Sequence, residues 1–232
     1  MLILLAVIAS GCAYTNAGDA EELKDLASKT DQTQYNVKYN FTVQGTALLG
    51  QTSEDAELFS YNGDTRFDRE TVYAQGNTTT SIYNMNGSRA LRCTESNYLG
   101  NRSSQSECNV TNATVSRYID GTEYSNPEYS VNYVREERYA GRKCKLYRIG
   151  LPPSEFENSS VINTGAIVDL CLDREKGYVA YNSMNLTRPV TSGGEAVSNI
   201  YTLEAQSYSS DVSREQVRLP EFNRTEGNST GT

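Results

Sequence analysis

The chain has no histidine and no tryptophan among its 232 residues. Without histidine there is no Ser-His or Cys-His pair, and no imidazole to hold a metal or move a proton near neutral pH. The common catalytic signatures are missing as well: no GxSxG elbow, HExxH helix, P-loop or Rossmann glycine fingerprint occurs. Basic runs are absent and the formal net charge is −8, which argues against a nucleic-acid partner. The apolar run at residues 2–8 is far shorter than the roughly 20 residues that a membrane-spanning helix needs.

Tyrosine, by contrast, is plentiful at 17 residues, and Ser, Thr and Asn are frequent throughout. These residues suit strands and turns rather than helical bundles. Residues 35–43 show the pattern most plainly. Tyr35, Val37, Tyr39, Phe41 and Val43 alternate with Asn36, Lys38, Asn40 and Thr42. Successive side chains of a strand point to opposite faces, so this segment is expected to be a β-strand with one apolar and one polar side. Upstream, Ala20, Leu23, Leu26 and Ala27 form an apolar stripe at helical spacing, with Asp19 as the expected N-cap and Glu22 three residues later. This helix is expected to end near Lys29–Asp31 and to lie across the sheet.

Downstream, turn signals at Asn62-Gly63, Gln75-Gly76, Asn86-Gly87, Ala140-Gly141 and residues 174–177 separate alternating segments into hairpins. The expected strands are 57–61, 65–74, 78–85, 88–94, 132–139, 143–149, 166–173, 178–186 and 196–208. Residues 95–112 read as a polar loop, and residues 115–119 as either a helical turn or a strand. From residue 209 only Val217, Leu219 and Phe222 are expected to dock. The expected architecture is mainly β, with about nine or ten antiparallel strands in one domain.

The N-terminal segment carries an export argument. Small residues 9–11 precede Cys12 and resemble a lipobox, although Ala9 replaces the usual Leu and no basic residue precedes the apolar run. This reading makes 1–11 a signal peptide, Cys12 the lipidation site, 12–18 a tether, 19–222 the folded domain and 223–232 a disordered tail. A buried first strand with an ordinary core cysteine is the alternative. Sequons at Asn40, Asn77, Asn86, Asn101, Asn109, Asn112, Asn158, Asn185, Asn223 and Asn228 fit an extracytoplasmic chain, glycosylated at these positions, with Asn77 and Asn86 in turns. With Cys12 set aside, four cysteines remain, an even number suited to an oxidising compartment. Of the three possible pairings, Cys93–Cys108 with Cys144–Cys171 is favoured. The first closes a polar loop and the second staples two neighbouring strands.

Several stretches together are similar to the LolA/LolB-like lipoprotein-carrier superfamily, particularly its archaeal cell-surface members. They are the helix running into 35–43, the 63–67 turn into a strand and Thr79-Thr80-Ser81-Ile82-Tyr83 ahead of Asn86-Gly87. They continue with residues 140–147, residues 171–178 and Val217-Arg218-Leu219-Pro220. The resemblance implies a strongly curved antiparallel sheet, an incomplete β-barrel with a helix across its mouth. It also implies a concave apolar face that holds an acyl chain or another hydrophobic ligand.

A membrane-anchored module that binds or transfers a lipid or hydrophobic small molecule is therefore expected, without cofactor or catalytic residues. Tyr35, Val37, Tyr39, Phe41 and Val43 would line one wall of its site, or else serve simply as core. A glycosylated surface protein that is structural or docks a partner is the competing function. Glu136-Glu137 and the Asp169/Asp173 pair contain the acidic residues of a glycosidase or Ca²⁺ site, but strand-end surface charge explains them more simply.

Overall fold

The computed structural model describes residues 17–45, 51–73, 76–84, 89–98, 105–111, 124, 126, 128–152, 166–188 and 197–220. Cys12, residues 115–119, Phe222 and the sequons Asn86, Asn101, Asn112, Asn158, Asn223 and Asn228 lie outside the described residues. Helix α1 (Ala17–Ser28) is followed by a 3-10 turn, Lys29–Gln32. The strands that follow are β1 (Tyr35–Gly45), β2 (Gln51–Tyr61), β3 (Asp64–Tyr73), β4 (Gly76–Asn84), β5 (Ala90–Tyr98) and β6 (Gln105–Thr111). Then come β7 (Ser130–Tyr139), β8 (Arg142–Leu151), β9 (Ala166–Asp173), β10 (Val179–Arg188) and β11 (Val197–Ser209), with a single-turn helix α2 (Arg214–Val217). The strands form one 11-stranded sheet in the order β6-β5-β4-β3-β2-β1-β11-β10-β9-β8-β7. Every neighbouring pair is antiparallel. The sheet is thus two meanders, β1–β6 and β7–β11, joined along the β1–β11 ladder.

The sheet is open, with β6 and β7 as its edges, and its β7 side curls. Strands three places apart in a flat sheet would lie about 14 Å from each other. Tyr139 of β7 nevertheless stacks on Tyr181 of β10 with ring centroids 5.0 Å apart. This curl covers one face of β8 and β9, where Cys144, Leu146 and Cys171 are buried. The other face is covered by α1. Leu23, Leu26 and Ala27 pack there with Tyr147, Ile149, Val168, Leu170 and Leu172. Burial on both sides at Leu170, Cys171 and Leu172 explains why that end of β9 is apolar at consecutive positions.

Polar contacts fix the position of α1. Lys145 and Tyr147 both donate to the Glu22 carboxylate, Tyr147 at 3.0 Å. The bond from Lys145 is the main reason that the Glu22 carboxyl titrates below its ordinary value of 4.5. A lowered folded-state pKa means stabilisation present above about pH 4.5 and lost as the pH falls through the lowered value. Glu22 is partly exposed, so Glu22→Gln should cost only about half a kcal/mol at pH 7. The gap between variant and parent should narrow as the pH is taken below 4.5, which urea midpoints at neutral and acid pH would show.

Several expectations need correction. Asp19 does not cap the helix, which begins two residues earlier at Ala17. Instead its carboxylate accepts the Tyr133 backbone N–H at 2.9 Å, beside the irregularity between Tyr133 and Arg135 on edge strand β7. Residues 95–112 are not one loop, because β5 runs on to Tyr98 and Gln105–Thr111 returns as β6. Cys93 and Cys108 therefore form a cross-strand disulfide between directly paired residues. Cys144–Cys171 bonds β8 to β9 across a diagonal. Asn77 lies within β4 rather than in a turn, paired with Val72, and its amide donates to Glu70 at 2.5 Å. Near the C-terminus Val212 and Val217 pack on Phe59, whereas Leu219 is 39 % exposed.

Candidate functional site

Residues paired directly across antiparallel strands share a face, so the ladder registers place side chains without ambiguity. Phe41 pairs with Leu203 of β11 and, on its other side, with Glu54 of β2. From β2 the same face passes through Ala56 and Leu58 to Arg69 and Phe67, on to Thr80 and Ile82, and then to Arg92 on β5. Leu203 pairs with Asn182 of β10, which links this surface to the face that carries α1.

Helix α1 packs chiefly over β7 and β9. Beyond it lies a hollow of ≈ 240 Å³ lined by Phe41, Phe67, Arg69, Thr80, Ile82, Arg92 and Leu203. The short side chain of Ala56, between Tyr39 and Arg69 in the ladder, helps to leave this space unfilled. The walls are aromatic and aliphatic, and two guanidinium groups and a hydroxyl supply the polar part. Few polar groups set in an apolar lining is the usual make-up of a small-molecule site. Arg69 lies over the Phe41 ring, 5.5 Å from its centroid, and pairs with Glu54 at 2.7 Å. The opposite face of the same strands is acidic, with Asp55, Glu57, Asp68 and Glu70 around a second, polar hollow.

The five residues singled out on β1 do share one face, but they occupy different surroundings. Tyr35, Val37 and Tyr39 are at most 2 % exposed and belong to the packed core. Phe41 reaches the hollow, and Val43 is half-buried against the same core. The Tyr39 hydroxyl donates to the Val179 carbonyl at 2.8 Å. Burial pushes its pKa well above the ordinary phenol value, so it stays a neutral donor. Tyr39→Phe leaves a buried carbonyl without this donor and should cost about 1–2 kcal/mol in a denaturant titration. An unchanged midpoint would show that the bond contributes nothing.

The paired acidic residues are held apart by basic partners. Asp169 binds Arg148 through two bonds, of 2.8 and 3.0 Å. Asp173 does the same with Arg142, at 2.7 and 3.1 Å, and also accepts the N–H groups of Glu175 and Lys176. Glu136 pairs with Arg174 at 2.6 Å, and Glu137 with Arg135 and the Tyr139 hydroxyl. These residues are neutralised strand ends and a tied turn. Among the described residues no cluster of three or more acidic or cysteine side chains is placed to hold a metal ion.

Four sequons fall on described strands. Asn40, Asn77 and Asn185 lie on the face opposite the hollow, whereas Asn109 pairs with Arg92 at the β6 edge. Phe67, Arg69, Thr80, Ile82, Arg92 and Leu203 are the cavity residues that sequence reasoning misses. The run 79–83 comes nearest to a signal, since it contains Thr80 and Ile82.

No family model matches the sequence, and no curated protein does. Among solved structures, the chain is similar to one in the MucA/MucB complex of Pseudomonas aeruginosa, at 13% identity and a TM-score of 0.47. That match covers 88% of this chain and 62% of the other, so this protein spans less than two thirds of its length. A DUF1329 family protein from Desulfovibrio piger is similar at 10% identity and a TM-score of 0.35, over 86% of this chain and 99% of the other. A putative outer membrane lipoprotein-sorting protein domain from Vibrio parahaemolyticus is similar at 11% identity and a TM-score of 0.28. That match covers 86% of this chain and 96% of the other.

Proposed function

We propose that this protein is an extracytoplasmic lipoprotein, held to the membrane through Cys12, that binds or transfers a lipid or other hydrophobic molecule. The observation that carries this reading is the hollow between Phe41, Phe67, Ile82 and Leu203, on the part of the apolar face that α1 does not cover. Apolar surface left in water on a folded protein is costly, at about 25 cal/mol per Å², and a hydrophobic guest removes that cost. Phe41 touches the guest in this scheme, while Tyr35, Val37, Tyr39 and Val43 form the wall behind it. Two disulfides suit a location outside the reducing cytoplasm.

The test is binding of the neutral apolar dye 1-N-phenylnaphthylamine to the purified chain, together with native mass spectrometry for a co-purified lipid. The parent protein should enhance the dye's fluorescence saturably. Ile82→Lys, which sets a charge into the half-buried wall, should weaken binding by about tenfold or more. A parent protein that neither binds the dye nor retains lipid would instead favour a structural or partner-docking surface protein. Separately, Cys12→Ala should release the protein from the membrane fraction, and retention there would refute the anchor.

A further inference from the structure

The cavity is apolar on its walls but cationic at its margin, and its two arginines are not equivalent. Arg69 is neutralised by Glu54 at 2.7 Å and spread over the Phe41 ring. Arg92 is exposed, and among the described residues it enters no ion pair. Its direct ladder partners are Ile82 on β4 and Asn109 on β6. The carboxylate one diagonal step away, Glu107, pairs in register with Thr94 and makes no bridge to it. A formal charge of −8 makes this molecule repel anions in general, so an uncompensated guanidinium beside an apolar hollow is a local exception. Charge is also sorted through the sheet, since Asp55, Glu57, Asp68 and Glu70 all project from the opposite face. Thr80, beside Ile82 and Arg69 on the cavity wall, adds a hydroxyl to the polar part of the lining.

We infer that the ligand is an amphiphile with a negatively charged head, its chain against Phe41, Phe67, Ile82 and Leu203 and its head at Arg92. This rests on the apolar-site reading above and adds to it the chemistry of the head. A carboxylate and a phosphate share the required feature, an anionic oxygen pair that a guanidinium fork can grip. Arg69, already engaged by Glu54, steadies the aromatic wall rather than the head.

Displacement of 1-N-phenylnaphthylamine by twelve-carbon amphiphiles below their micellar concentrations tests this on the full chain. Dodecanoate and dodecyl phosphate should displace the dye at about fivefold lower concentration than dodecyl maltoside in low salt, and dodecyltrimethylammonium should be the weakest. The difference should shrink at about 0.5 M salt, where an exposed charge is screened within a few ångströms. Arg92→Ala should erase the preference, read within each variant as the ratio of anionic to maltoside displacement, and Arg92→Glu should reverse it. Comparing dodecanoate with dodecyl phosphate assigns the head to a fatty-acid carboxylate or a phospholipid-type phosphate. Equal displacement by anionic and neutral amphiphiles, or a preference that survives Arg92→Ala, would overturn the head assignment and leave the apolar site standing. A parent protein that binds neither dye nor any amphiphile would overturn both.

Discussion

Gly177→Ala is expected to destabilise the protein by about 3 kcal/mol or more, lowering its melting temperature by roughly 10 °C. Gly177 has φ +75°, and a Cβ there would stand 2.0 Å from the Leu26 carbonyl oxygen and 3.2 Å from the Lys29 Cβ. The closest obstacle is helix backbone, so no side-chain rotation relieves it. The end of α1 must lift, and with it Leu26 and Ala27, which are buried against the sheet. Gly141 supplies the control, because it has φ +76° but nothing within 4 Å of an added Cβ. Gly141→Ala should therefore cost only the conformational penalty, about 1 kcal/mol. Thermal unfolding followed by circular dichroism compares the two, and equal losses would show that the α1 contact is not what Gly177 protects.

The second large effect belongs to the buried disulfide. Cys144 and Cys171 are 27 residues apart, and loop-closure entropy assigns such a link about 3–4 kcal/mol. The double variant Cys144→Ala/Cys171→Ala should lose stability of that order. Loop length gives Cys93–Cys108, separated by 15 residues, nearly the same worth, about 3 kcal/mol. Access separates the two links. Cys144 and Cys171 are both 0% exposed, whereas Cys93 and Cys108 are half-buried at the β6 edge. Under mild reductant and native conditions, thiol labelling should first mark Cys93 and Cys108. Earlier labelling of Cys144 and Cys171 would mean that the curl over β8 and β9 opens readily.

Much of the fold is legible in the residues, because hairpins write their turns into the chain. Asn62 and Gly63 at φ 52° and 89°, Ala140 and Gly141 at 49° and 76°, and Gly177 at 75° occupy turns that the sequence marks. The β1 alternation likewise predicts its faces. β6 escapes detection because Ser- and Asn-rich segments describe a loop and a polar edge strand equally well. Its partner β5 supplies the ladder that decides between them.

The cavity is harder to read for a different reason. Alternation reports which side of a strand is apolar, not whether anything covers that side. Coverage depends on where α1 lands, and the stripe of Leu23 and Leu26 does not specify its target strands. The lining is also gathered from five strands, between Phe41 and Leu203 in the chain, so no single window contains it. Arg69 and Arg92 look like ordinary solvated strand charges until the ladder brings them beside Ile82 and Phe41.

The β1–β11 junction has a consequence for assembly. All other ladders of the described sheet join strands that follow each other in the chain, so each can form as soon as its second strand has emerged. β1 finds β2 at once, but its other neighbour is β11, with Phe41 meeting Leu203 and Val43 meeting Tyr201. Bringing those ends together closes a loop of most of the polypeptide, an entropic toll that slows folding. β1 thus waits longest for its last partner, with one ladder edge bare in the meantime. A chaperone that shields Tyr35–Gly45 would find its window there.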